Sequence, residues 1–115
     1  MKLSSDGKLL RIFVGESDKW EGNPLYQAIV QLARKEGLAG ATAMKGFMGF
    51  GRHSHMHTAK LLRLSEDLPV VIEIVDTAEH IERLTPILDE MVVEGLVTME
   101  KVQVLKYASG TRPPS

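Results

Sequence analysis

Residues 69–76, "PVVIEIVD", read as a strand with no wet side. Apolar side chains stand at both odd and even positions, so both faces are to be covered, which places the segment inside a sheet. Pro69 takes the first position, where a strand tolerates a residue without an N–H. Downstream, Asp76 and Glu79 have the spacing of a capping box. Ile81, Leu84, Leu88, Met91 and Val92 then form the apolar stripe of a helix. Pro86 lies within that stripe and is expected to kink the helix, because it cannot donate to the carbonyl four residues back. Gly95 is expected to end it. "LVTMEKVQVLKY" (96–107) reads as the last strand, and its change of apolar phase between Met99 and Val102 predicts a bulge.

Upstream, "KLLRIFVGE" (8–16) alternates Leu10, Ile12 and Val14 on one face of a first strand. Asn23-Pro24 reads as a helix start, with Asn23 as the cap and Pro24 at the first helical position. Leu25, Ile29, Leu32 and Ala33 are the buried stripe, Arg34 and Lys35 suit the negative end of the dipole, and Gly37 supplies a left-handed stop. "AGATAMK" (39–45) is a second strand and "AKLLRL" (59–64) a possible further one. The order strand, helix, strand, strand, helix, strand predicts an α+β ferredoxin-like sandwich (βαββαβ), a four-stranded antiparallel sheet with two helices on one face. The other sheet face meets solvent or a partner, and self-association is the commonest answer.

The chain has 115 residues, the length of one domain, with 43% hydrophobic and 25% charged residues. A net charge of −1 provides no global field for nucleic acid or an anionic membrane. With no cysteine there is no disulfide, thiolate catalysis or zinc–sulfur site. The opening "MKLSSDGKLLRIFVG" lacks the uninterrupted apolar core of a signal peptide, so a cytoplasmic location is expected. Residues 1–7 and 108–115 read as flexible tails flanking one domain at 8–107.

"MKGFMGFGRHSHMHT" (44–58) is the stretch with chemistry in it. Gly46, Gly49 and Gly51 let backbone N–H groups approach an anion without an intervening side chain. Arg52 offers a planar fork to a phosphate. Lys45, Lys60 and Arg63 are near in sequence, and Phe47 or Phe50 is suited to stack on a base or pack under the loop. No Lys-Ser/Thr follows at P-loop spacing, and the segment opens no helix. A glycine-rich hairpin tip with a satisfied arginine accounts for the same composition. His53, His55 and His57 alternate, which on a strand brings three imidazoles to one side as zinc, copper or nickel ligands; no acidic residue lies within the run.

Elsewhere, Glu73 on the central strand calls for a structural ion-pair partner. Asp89 and Glu90 read as the wet face of the second helix, and Trp20 as packing or a subunit contact. No serine–histidine–acid arrangement has a supporting motif.

"GFGRHSHMHT" followed by "VVIEIV" resembles the loop base and following strand of the nitrogen-regulatory PII proteins. "LRIFVGESDKW", "PLYQAIV", "GLAGAT", "GFG", "HTAKLLRLSEDLPVVIEIVD" and "LTPILDEMV" resemble more closely a PII-like family known as domain of unknown function 190, over 8–106. The resemblance implies a ferredoxin-like homotrimer, not an enzyme, with an adenine nucleotide in clefts between subunits. It also implies signalling by a loop that docks on a protein or membrane-transporter target. Matched residue by residue, Gly49, Phe50, Gly51, Arg52 and His53 become the nucleotide-binding loop base, with Thr58 on its far side. The chain departs from PII in a shorter segment after Thr58 and in lacking the modified tyrosine. Its second phosphate loop, "VVEGLVTME" (92–100), has one glycine and no lysine. Fewer cations favour AMP or ADP over ATP. Two alternatives stand beside this one. A metal-responsive small trimer would use His53, His55 and His57. An acylphosphatase-like enzyme would need an arginine that "GESDKWEGN" does not contain.

Overall fold

A computed structural model describes residues 6–49 and 68–108 and the backbone of His57 and Thr58. Four strands, β1 (Asp6–Gly15), β2 (Thr42–Lys45), β3 (Pro69–Asp76) and β4 (Leu96–Gln103), form one sheet in the order β2-β3-β1-β4. All three neighbouring pairs are antiparallel. Helices α1 (Leu25–Lys35) and α2 (Ala78–Met91) complete the βαββαβ order. The expected ferredoxin-like α+β architecture is therefore present.

The register explains why the helices lie on one face. Leu10, Ile12 and Val14 pair with Ile74, Ile72 and Val70. Paired residues point to the same side of a sheet. All six are buried, together with Leu25, Ile29 and Ala33 of α1 and Ile81, Leu84, Leu88 and Met91 of α2. As its composition predicts, β3 lies inside the sheet, between β2 and β1.

Helix α1 ends as read. Gly37 has φ +78°, Leu38 N–H donates to the Ala33 carbonyl (3.0 Å), and Gly37 N–H donates to that of Arg34 (3.2 Å). That is a Schellman arrangement. Its start differs. Pro24 is the cap, with no side-chain cap hydrogen bond. Asn23 instead belongs to a two-residue ladder, Lys19–Trp20 against Asn23–Pro24. Glu21 (φ 49°) and Gly22 (φ 84°), both left-handed, make its type I′ turn. The Asp18 carbonyl accepts the Leu25 N–H (2.8 Å), so backbone replaces the side-chain cap. Trp20 packs against the core.

Further expectations are corrected. Thr77, not Asp76, caps α2, its hydroxyl accepting the His80 N–H (3.3 Å). Asp76 is fully buried and has a larger task, accepting from the N–H groups of Ala39 and Thr77 and from His80 Nδ1, each at 2.7 Å. Helix α2 runs from Ala78 through Pro86 to Met91, with Pro86 on its exposed face, where water can replace the missing donor. Gly95 does not end α2, whose cap is Val92; it opens β4, where an added Cβ would stand 2.5 Å from the Phe13 carbonyl oxygen. No bulge interrupts β4. Its residues pair one-to-one with β1 from Leu96↔Phe13 to Gln103↔Asp6. The apolar residues on both of its faces reflect an edge that no helix covers: Leu96 is 55% exposed and Met99 54%. β2 is shorter than expected because Ala39 is engaged elsewhere, its N–H by Asp76 and its carbonyl by the Tyr107 hydroxyl (3.4 Å). The strand expected at 59–64 lies outside the described residues.

Two stability measurements test this account. Asp76→Ala strands two backbone N–H groups and the His80 ring nitrogen, and is expected to cost about 3 kcal/mol in denaturant unfolding. Glu21→Asn, which suits the left-handed turn position better, is expected to gain about 0.5–1 kcal/mol by the same assay.

Candidate functional site

The glycine-rich loop leaves the sheet at the end of β2 and returns at the start of β3. Both ends are fastened at Leu68–Pro69. Gly46 N–H donates to the Pro69 carbonyl (2.7 Å), and Glu16 N–H donates to that of Leu68 (2.8 Å). Met48 and Gly49 pair antiparallel with Thr58 and His57. The Pro69 ring explains two of the three glycines. A Cβ on Gly46 would stand 2.8 Å from its Cγ, and one on Gly49 3.0 Å from it. Gly46 leaves no room for a Cβ, while at Gly49 the contact is tight and the proline ring would have to give by a few tenths of an ångström. Phe47 is 74% exposed beside the loop base, and Phe50 lies outside the described residues.

At this end of the sheet Lys45 Nζ lies 2.6 Å from Glu16 Oε2. Glu16 follows β1 directly and sits in a tight turn. Gly15 N–H donates to Asp18 Oδ2 (2.9 Å) and Asp18 N–H donates to the Gly15 carbonyl (3.2 Å).

Of the residues assigned to a nucleotide site, Gly49 is placed at this loop base. Phe50, Gly51, Arg52 and His53 lie outside the described residues, as do His55 of the metal alternative and the cations Lys60 and Arg63. His57 is placed only by its backbone pairing with Gly49. Among the described residues no three metal-ligating side chains come together.

Two other charged groupings stand out. Across the sheet face away from the helices, Arg11 binds Glu73 (2.8 Å) and Glu100 (2.9 Å), tying β3, β1 and β4 together. The Arg11 guanidinium is held above its ordinary pKa, first by the hydrogen bond to Glu73, with desolvation opposing and the charges of Glu73 and Glu100 adding. Glu73 therefore has the ion-pair partner its position called for. The Asp76–His80 pair lies at the far end of β3 from Pro69, beside a shallow recess formed with Glu79, Glu82 and Arg83. Sequence reasoning assigned Asp76 to a cap and missed this pair. The available signal was a carboxylate closing an apolar strand, with a histidine four residues later. Asp89 and Glu90 are exposed, as expected.

Among solved structures, the fold is similar to that of CPII, a nitrogen regulatory PII-like protein from Thiomonas intermedia K12, bound to ADP, AMP and bicarbonate. One such structure aligns with a TM-score of 0.62 and 21% identity over 88% of this chain and 90% of that one. A second aligns at 0.64 and 20% over 90% and 99%. A UPF0166 protein of Aquifex aeolicus is 40% identical over 100 residues, 85% of this chain and 92% of its own. A UPF0166 protein of Methanocaldococcus jannaschii is 39% identical over 100 residues, 86% and 92% of the two chains. Residues 7–104 match the family described as DUF190, Uncharacterized ACR, and the chain belongs to that family.

Proposed function

We propose that this protein is a non-enzymatic, PII-like regulator. It binds an adenine nucleotide, AMP or ADP, in clefts between the subunits of a homotrimer and signals through the loop that follows β2. The observation that carries the proposal is the loop base itself. A fold shared with CPII, which binds ADP and AMP, fastens a glycine-rich hairpin at Leu68–Pro69. Next to the fastening lies an exposed aromatic ring, Phe47. Backbone amides and the Arg52 guanidinium suit the ligand's anionic tail, and an aromatic face suits its base. The open face of the sheet supports self-assembly. Leu9, Phe13, Val71 and Val75 flank the Arg11–Glu73 pair there, with Met44 and Leu96 at the two edges. Apolar area of this kind is what subunit interfaces cover. Among the described residues no helix is long and apolar enough to cross a membrane.

Purified protein is to be titrated with AMP, ADP and ATP while its melting temperature is followed. A bound nucleotide at one hundred times its dissociation constant is expected to add about 2.7 kcal/mol of stability per site. Arg52→Ala is expected to weaken binding by about 1.5–3 kcal/mol, and Gly51→Val to weaken it without loss of the folded state. No shift with any of the three nucleotides would overturn the proposal. Sedimentation of the 12.7 kDa chain tests the assembly, with three copies expected. Phe13→Glu, which puts a charge on the open sheet face, is expected to dissociate them.

A further inference from the structure

The carboxylate of Glu16 is an unexpected neighbour for an anion site. Three observations fix it there. Its own N–H extends the β1–β3 ladder by bonding to the Leu68 carbonyl (2.8 Å). The Gly15–Asp18 turn holds the chain on its other side. Its Oε2 then meets Lys45 Nζ at 2.6 Å, while the Lys45 side chain is otherwise half exposed. Lys45 precedes Gly46, and Gly46 and Gly49 both pack against the ring of Pro69. Lys45 and Gly49 are four residues apart, a span of at most about 14 Å, so the pair lies within one low-salt screening length of the loop base.

We infer that Glu16 is a specificity-determining residue: by occupying Lys45 and keeping a negative charge at the loop base, it limits how many phosphates the ligand carries. The inference rests on the adenine-nucleotide proposal above. An ammonium already paired to a carboxylate contributes little net field, whereas a free one would attract each added phosphate. Adenosine, AMP, ADP and ATP form a series in which every phosphate adds negative charge on an unchanged base and ribose. A filter of this kind acts along the series in proportion to charge and leaves adenosine untouched.

The test is calorimetric titration of the full chain and two variants with all four compounds, at an ionic strength on the order of 0.01 M, where the screening length is about 30 Å. Glu16→Gln is expected to tighten ATP by about threefold or more, ADP less, AMP less again and adenosine not at all. Lys45→Gln leaves the carboxylate unopposed and is expected to weaken binding in the same order. The double variant, neutral at both positions, is expected to return close to the parent. Physiological salt should compress the differences. If the parent binds nucleotide and either folded single variant shows no trend along the series, or shifts adenosine as much as ATP, the filter is overturned and the nucleotide proposal stands. If the parent binds none of the four, both fall.

Discussion

The pairing of β1 with β3 is the constraint on which everything else in this protein is arranged. Eight consecutive residue pairs, Lys8↔Asp76 through Gly15↔Pro69, lie in one antiparallel register. Side chains alternate with a period of two, so a slip of one residue would send Leu10, Ile12, Val14, Val70, Ile72 and Ile74 to the face without helices. Both helices would then lose their floor. The register also sets the ends of β3, and each end has a different duty. At one, Asp76 gathers the loop before β2 and the start of α2. At the other, Pro69 anchors the glycine hairpin.

The sheet is central but not closed. Among the described residues β2 and β4 are both edges, and the face away from the helices sets Leu9, Phe13, Val71 and Val75 around the Arg11 cluster, with Thr42 and Thr98 beside it. Charges there cost less than their number implies, because Arg11 meets both carboxylates across neighbouring strands and all three groups keep partial contact with water. If a second subunit covers this face, the cluster becomes a buried network, where pairing geometry matters much more.

Most of the architecture was legible in the sequence, and the misses have common causes. β3 announced itself through an apolar run opened by proline, and α1 announced its end through Gly37. The helix starts were each misplaced because two adjacent residues could cap and a distant contact chose between them. Ala39 claims Asp76, which leaves the cap to Thr77. A type I′ turn at Glu21–Gly22 claims Asn23, and a non-glycine residue at φ 49° gives no warning in composition. The supposed bulge in β4 came from treating an edge strand as though one of its faces had to be dry. At the candidate site, the pattern of glycines was visible, but its cause was mixed. Gly46 is demanded by the ring of Pro69 and Gly49 lies tight against it, contacts between segments some twenty residues apart, which no local spacing rule reports. Family resemblance supplied the proposed ligand class that the residues alone left open.

The fastening of Gly46 to Pro69 also bears on how such a protein diversifies. The chain departs from the sheet and rejoins it at two points joined by a single 2.7 Å hydrogen bond. Whatever is spliced between them has its ends already held together, so lengthening it adds only a slowly growing entropic cost. The scaffold is in effect a socket. Its segment between β2 and β3 is free to be exchanged for another of different size and chemistry while the helices and the paired central strands stay as they are.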